Sequence, residues 1–98
     1  MELTQKQKII IDGFSNYLSL IKERYGEKVP VLELSDYSVE STEWLDKYIL
    51  NIIFDFEGEN TPKTIEDVVD DIYKFNDFSK LFFPDREPYF SFRMETVK

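Results

Sequence analysis

The first 25 residues place apolar side chains at the spacing of an α-helix. Large apolar residues recur three and four positions apart: Ile10, Phe14, Tyr17, Leu18, Ile21 and Tyr25. Thr4 followed by Gln7 is a capping-box pattern, and Gly26 is the residue type that ends helices. The sequence therefore predicts a helix from about residue 5 to 25. Three apolar residues lie outside its stripe: Ile9, Ile11 and Leu20. Their positions predict that more than one side of this helix is covered, and Gly13 favours close approach of a neighbouring element.

Three later segments alternate with the period of two that is typical of β-strands. "PVLELSDY" (30–37) is a short strand, and its starting proline predicts an edge or first position. "KYILNIIFDFE" (47–57) is apolar on both faces, which predicts a strand near the middle of a sheet. "YFSFRMETV" (89–97) directs Phe90, Phe92 and Met94 inward.

The connecting segments carry different signals. Residues 35–46 are polar and irregular, and we expect Trp44 and Leu45 to tuck back onto the core. "GENTPKT" (58–64) has the composition of a turn. "NDFSKLFFPDREP" (76–88) predicts a compact aromatic loop or one helical turn.

A second helix is predicted over "TIEDVVDDIYKF", residues 64–75. Five apolar residues are assigned to one face: Ile65, Val68, Val69, Ile72 and Phe75. The opposite face is expected to hold an acidic band: Glu66, Asp67, Asp70 and Asp71. The chain thus reads as one α+β domain over residues 1–98, in the order α-β-β-α-β. We expect a sheet of about three strands with both helices on one face and the other face partly exposed.

Composition excludes several kinds of chemistry. The chain has no Cys and no His. It therefore has no thiolate or imidazole group that could act as a nucleophile, a general base or a metal ligand. No apolar stretch is long enough to span a membrane, and the N-terminus lacks a secretory signal pattern. We therefore expect a cytoplasmic protein that has no cofactor and is not an enzyme.

The net charge of −8 is concentrated in the middle of the chain. Residues 33–71 hold twelve acids against Lys47 and Lys63, a local balance that repels phosphate and attracts basic protein surfaces. Seven acids are the candidate partner-binding residues: Asp55, Glu57, Glu59, Glu66, Asp67, Asp70 and Asp71. The alternative is that they form only the solvated side of a helix and a turn.

Two other functions, metal binding by the acids and nucleic-acid binding by the C-terminal aromatic residues, have weaker support. Asp55, Glu57, Glu59 and Glu66 match four positions of a twelve-residue calcium loop, but Asn60 stands where that loop requires Gly. We therefore predict no metal site. The aromatic C-terminal segment has residue types that stack on bases, yet its alternation assigns them to the core, so no direct binding of nucleic acid is predicted.

The favoured function is that of a small inhibitor that occupies a basic, nucleic-acid-binding surface of another protein, such as a nuclease. A DNA-mimicking phage anti-defence protein, of the anti-CRISPR or anti-restriction type, and an immunity protein for a nuclease toxin both fit this charge and size. The protein is expected to be a monomer or a homodimer. The alternative is a structural or assembly adaptor that acts through edge-strand pairing or dimerisation.

Overall fold

The predicted element order is found in the computed structural model, which describes residues 3–56, 62–82 and 88–96. The elements are α1 Gln5–Tyr25, β1 Val31–Ser41, β2 Asp46–Asp55, α2 Pro62–Tyr73, α3 Phe75–Phe82 and β3 Pro88–Thr96, with a short 3-10 turn at Gly26–Lys28. The α+β class and the order α-β-β-α-β are confirmed. The segment predicted as a loop or single turn after the second helix begins instead with α3.

Local signals at both ends of α1 act as the sequence predicts. The Thr4 hydroxyl accepts a hydrogen bond from the Gln7 backbone N–H, and the Gln7 side chain accepts one from the Thr4 backbone. Gly26 follows the helix with φ of 61°, a conformation that favours glycine. Gln7 is itself buried, and its amide donates to the Ser41 hydroxyl at 2.9 Å. The start of α1 is therefore tied to the end of β1.

The sheet is mixed, with the strand order β1-β2-β3. β1 and β2 form an antiparallel hairpin, whereas β3 runs parallel to β2. A parallel pair requires a long crossover connection, and α2 and α3 lie in that connection. β2 is central, as its two apolar faces predicted, and β1 and β3 are the two edges.

A β-bulge in β1 reverses the side-chain alternation. Leu34 lies opposite Ile52, but Asp36 rather than Ser35 lies opposite the next residue of β2, Asn51. The extra residue turns Val39 into the core, where it is 1% exposed. The prediction of an irregular segment over residues 35–46 was wrong for residues 35–41, because the bulge breaks the period of two without ending the strand.

The core lies between the helices and one face of the sheet. Phe14 from α1 is fully buried and stacks on Phe92 of β3, with ring centroids 5.4 Å apart. Phe14 and Phe75, at the start of α3, form a T-shaped pair with ring centroids 5.0 Å apart. β2 contributes Tyr48, Leu50 and Ile52 to this face, each at most 1% exposed. The helical layer therefore covers one face of the sheet, as predicted, and leaves the other open.

Trp44 does not tuck back onto the core. It lies in the β1–β2 turn and is 82% exposed. The Thr42 hydroxyl accepts hydrogen bonds from the backbone N–H groups of Trp44 and Leu45, and Thr42 N–H donates to the Leu45 carbonyl at 2.9 Å. Because β1 runs on to Ser41, this tight turn holds Trp44 beyond the reach of the core.

Candidate functional site

The acidic residues of α2 are the first part of the predicted site. Glu66, Asp67 and Asp70 are exposed, as predicted. α2 begins at Pro62, so these acids lie beyond its first turn, where the helix dipole no longer favours anions. Among the described residues, none of the three forms an ion pair. Their mutual repulsion at spacings of three and four is therefore left uncompensated by local contacts.

Asp71 differs from its three neighbours, because it is only 7% exposed. Its carboxylate accepts a hydrogen bond from the Tyr25 hydroxyl at 3.0 Å. Arg24 and Lys74 each approach it at 3.4 Å. The prediction that Asp71 shares the exposed band was wrong: α2 is rotated so that this carboxylate meets the C-terminal end of α1. Lys74, one turn after Asp70, forms its ion pair with Asp71 instead.

The same rotation changes which apolar residues of α2 are covered. Val68 and Ile72 are fully buried, but Ile65 is 38% exposed and Val69 only half-buried. A helix has 100° between residues, so Val69 and Asp71 lie about 80° to either side of a face centred on Val68 and Ile72, and both fall at its rim. Contacts with α1 decide in favour of burying Asp71.

Two tyrosines of α1 respond to this buried carboxylate. Burial raises the pKa of the Tyr25 hydroxyl, and the hydrogen bond to Asp71 raises it further, because ionised Tyr25 would face a negative charge. Burial and then the Asp71 charge also raise the pKa of Tyr17, and Arg24 offsets part of that effect. The Tyr17 hydroxyl donates to the backbone carbonyl of Asp71. Asp71 thus joins α1 to α2.

The remaining predicted site residues do not join the α2 band. Asp55 ends β2 on the sheet face that the helices do not cover, opposite Val31, and it is half-buried. Glu57 and Glu59 lie outside the described residues. The structure therefore brings Glu66, Asp67 and Asp70 together on the helical layer and separates them from Asp55.

A second acidic surface lies on the open face of the sheet. Glu33, Asp36 and Glu40 are exposed along β1, opposite Ile53, Asn51 and Lys47 of β2 respectively. The bulge places all three on one face, since strict alternation from Glu33 would direct Asp36 and Glu40 toward the helices. Sequence reasoning missed this surface as a site. The signal that could have found it is the return of an apolar residue at Val39, out of phase with Leu32 and Leu34.

Half-buried apolar residues lie beside these acids. Ile49 and Ile53 project from β2 onto the open face and are half-buried, as predicted. Arg93 of β3 lies opposite Asn51. The open face thus has an apolar centre and an acidic edge along β1.

Several depressions border the helical layer of the described residues. An apolar groove of about 460 Å³ runs between α1 and α3 and is lined by Ile9, Ile10, Gly13, Asn16, Tyr17, Leu20, Phe75, Phe78 and Ser79. The expectation that Ile9 and Leu20 are covered was wrong, because they are 53% and 63% exposed. A second cleft of about 390 Å³ lies beside Trp44, and Tyr89 and Lys80 also line it.

No group of three acidic side chains in the described residues is arranged to hold a metal ion. Of the calcium-loop candidates, Asp55 lies on the open face of the sheet and Glu66 on α2. None of the described helices is long and apolar enough to cross a membrane.

Comparisons with known proteins bear on the fold. No protein-family model matches the sequence, and the search of curated proteins gives no match. A solved structure from work on the mode of action of CzrB, described there as a proposed zinc transporter, is similar over 99% of this chain and 100% of that chain. The TM-score is 0.57 and the sequence identity 10%. This similarity shows a shared fold.

Proposed function

We propose that the protein is a non-enzymatic binding protein that presents the exposed acids of α2 to a basic surface of a partner protein. The observation that carries this proposal is the trio Glu66, Asp67 and Asp70, exposed and without ion pairs among the described residues. Like charges one helical turn apart cost a few tenths of a kcal/mol per pair. In a complex, the Lys and Arg side chains of a basic partner would attract these carboxylates and offset their mutual repulsion. Binding therefore accounts for the clustered acids, whereas helix stability does not.

The partner proposed is a protein whose basic surface normally binds nucleic acid. Such surfaces carry clustered Lys and Arg that neutralise phosphates, and a patch of carboxylates competes for the same cations. Charge complementarity also speeds association. An anti-CRISPR or anti-restriction protein of a phage and an immunity protein for a nuclease are the two inhibitor classes that this chemistry fits.

The structure narrows the set of residues to test. Asp71 is left out of the proposed surface, because its carboxylate is already held by Tyr25, Arg24 and Lys74. Glu33, Asp36 and Glu40 form a separate surface on the open face of the sheet, and a partner engaging α2 need not touch them. They therefore supply a matched comparison.

The experiment is an affinity capture from a lysate of the source host, with mass spectrometry and three forms of the protein. The first is the wild type, the second carries Glu66→Lys, Asp67→Lys and Asp70→Lys, and the third carries the same change of charge at the β1 acids. We expect a nucleic-acid-binding protein to be retained by the wild type and the β1 variant and lost by the α2 variant. Added DNA should compete with the capture, and salt should weaken it steeply.

Equal capture by all three forms would refute the α2 surface. Loss in the β1 variant alone would move the site to the open face of the sheet. All six substituted positions are exposed, so both variants are expected to fold. Circular dichroism and thermal melting check this, and they distinguish loss of binding from unfolding.

An adaptor role is the second candidate, favoured by the sheet order. β1 and β3 are both edges, and an edge strand can pair with a strand of another chain. Backbone pairing depends little on ionic strength, so capture that persists unchanged in high salt and in both charge variants would support the adaptor over the acidic inhibitor.

A further inference from the structure

The outer face of α1 carries a periodic stripe that the core does not use. Its members are Lys6, Ile9, Gly13, Asn16, Leu20 and Glu23, at successive spacings of three, four, three, four and three. This is the spacing of the contact positions of a coiled coil. Ile9 and Leu20 are more than half exposed, and Lys6, Asn16 and Glu23 are exposed as well. We call this stripe the α1 seam.

The α1 seam matches itself when it is read in the opposite direction. Two antiparallel copies in this register place Lys6 against Glu23, Ile9 against Leu20, and Gly13 against Asn16, and each pairing occurs twice. An isologous two-fold interface requires this kind of self-complementarity. Opposite charges then meet at both ends, and apolar side chains meet inside them.

The surroundings of the seam favour a helix as its occupant. Ile9, Gly13, Asn16 and Leu20 line one side of the apolar groove of about 460 Å³, and Phe78 of α3 lines it as well. A Cβ built on Gly13 would meet nothing within 4 Å. Open space at the centre of the seam allows a second helix to approach closely.

We propose that the protein forms a two-fold symmetric homodimer through antiparallel pairing of α1 seams. The occupant is a second copy because the charge pattern, Lys6 at one end and Glu23 at the other, is complementary to its own reverse. The dimer buries the exposed Ile9 and Leu20 of each copy. It is independent of the acidic surface of α2, which lies on a different helix.

The test uses reversal of the end charges, with oligomeric state measured by sedimentation velocity from micromolar to millimolar protein. Lys6→Glu places a glutamate opposite Glu23 of the other copy at both ends of the dimer. Glu23→Lys places a lysine opposite Lys6 of the other copy at both ends. We expect each single variant to dimerise about tenfold more weakly than the wild type. The double variant restores both pairs and should recover the wild-type dissociation constant.

These variants separate the seam from a general effect of charge. Lys6→Glu makes the protein more acidic and Glu23→Lys less acidic, so general repulsion would shift dimerisation in opposite directions, whereas the seam predicts weakening in both. Lys8→Glu is the matched control, because Lys8 is exposed on α1 but lies off the seam. It should weaken dimerisation much less than Lys6→Glu.

Two results would overturn the proposal. One is a wild type that stays monomeric throughout this concentration range. The other is a dimer that none of the seam variants alters, which would place the contact elsewhere, such as the edge of β3.

Leu20→Glu should abolish dimerisation, because it places a charge in the apolar part of the seam. Leu20 is 63% exposed in the monomer, so the variant should fold, and a melting curve at low concentration checks this.

Discussion

Replacing Asp71 by Ala tests whether the buried carboxylate joins α1 to α2. The change removes the acceptor of the Tyr25 hydrogen bond, while the Asp71 backbone carbonyl that accepts from Tyr17 remains. A hydrogen bond to a charged group contributes about 1.5–3 kcal/mol. Arg24 and Lys74 are 70% and 63% exposed at their side chains, so solvent reduces each ion pair to a few tenths of a kcal/mol. We expect a loss of about 2–3 kcal/mol.

The assay is urea unfolding at neutral pH, with thermal melting as a second probe. For a chain of this size, 2–3 kcal/mol lowers Tm by roughly 10–20 °C. Asp70→Ala is the matched control, since Asp70 is exposed and forms no ion pair among the described residues, and it should change stability by less than about 0.5 kcal/mol. A double-mutant cycle with Tyr25→Phe isolates the hydrogen bond. Equal, small losses for Asp71→Ala and Asp70→Ala would refute the proposed role of Asp71.

Three further predictions concern pH, helix propensity and the bulge. The pKa of Tyr25 is raised in the folded protein, so its contribution to stability is complete below the unfolded pKa of about 10 and is lost as pH rises through the folded pKa. The free energy of unfolding, measured in urea at increasing alkaline pH, should therefore fall less for Tyr25→Phe than for the wild type. An equal fall for both proteins would contradict this. Gly13→Ala should raise monomer stability by about 0.5–1 kcal/mol in unfolding measured at low concentration, because the helix gains propensity and the added methyl group meets nothing within 4 Å; a loss would show strain at this position. Deletion of Ser35 should change the free energy of unfolding by less than about 1 kcal/mol, because it removes the extra residue of the bulge and leaves Asp36 opposite Asn51 and Val39 opposite Tyr48. Ser35→Ala, which removes only an exposed hydrogen bond to the Asn51 carbonyl, should also be nearly neutral; a loss of more than about 2 kcal/mol on deletion would refute this register.

Patterns confined to one element were predictable from the sequence. The capping box at Thr4 and Gln7, the glycine after α1 and the two apolar faces of β2 depend on neighbours within a few residues along the chain. Those interactions depend on the spacing of residue types within one element. The element order and the central place of β2 could therefore be predicted. The exposure of Glu66, Asp67 and Asp70 follows from the same helical periodicity.

Other features depend on partners far away in sequence. Asp71 is buried because Tyr25, 46 positions earlier, offers its carboxylate a donor, and no pattern within α2 records that donor. The bulge at Ser35 depends on the register against Asn51, and it decides that Asp36 and Glu40 share a face with Glu33. Trp44 is exposed because β1 continues past the bulge to a tight turn.

The sequence by itself determined α1, α2, the presence of three strands and the excess of acidic residues in the middle of the chain. The tertiary structure decided how most of the described acids among them are distributed: Glu66, Asp67 and Asp70 are exposed on α2, Glu33, Asp36, Glu40 and Asp55 lie on the open face of the sheet, and Asp71 lies in the interior. The physical reason is that charge is a property of each residue, whereas exposure depends on the elements that pack around it. The apolar groove between α1 and α3 arises in the same way, from two helices that are each amphipathic and together leave Ile9 and Leu20 uncovered.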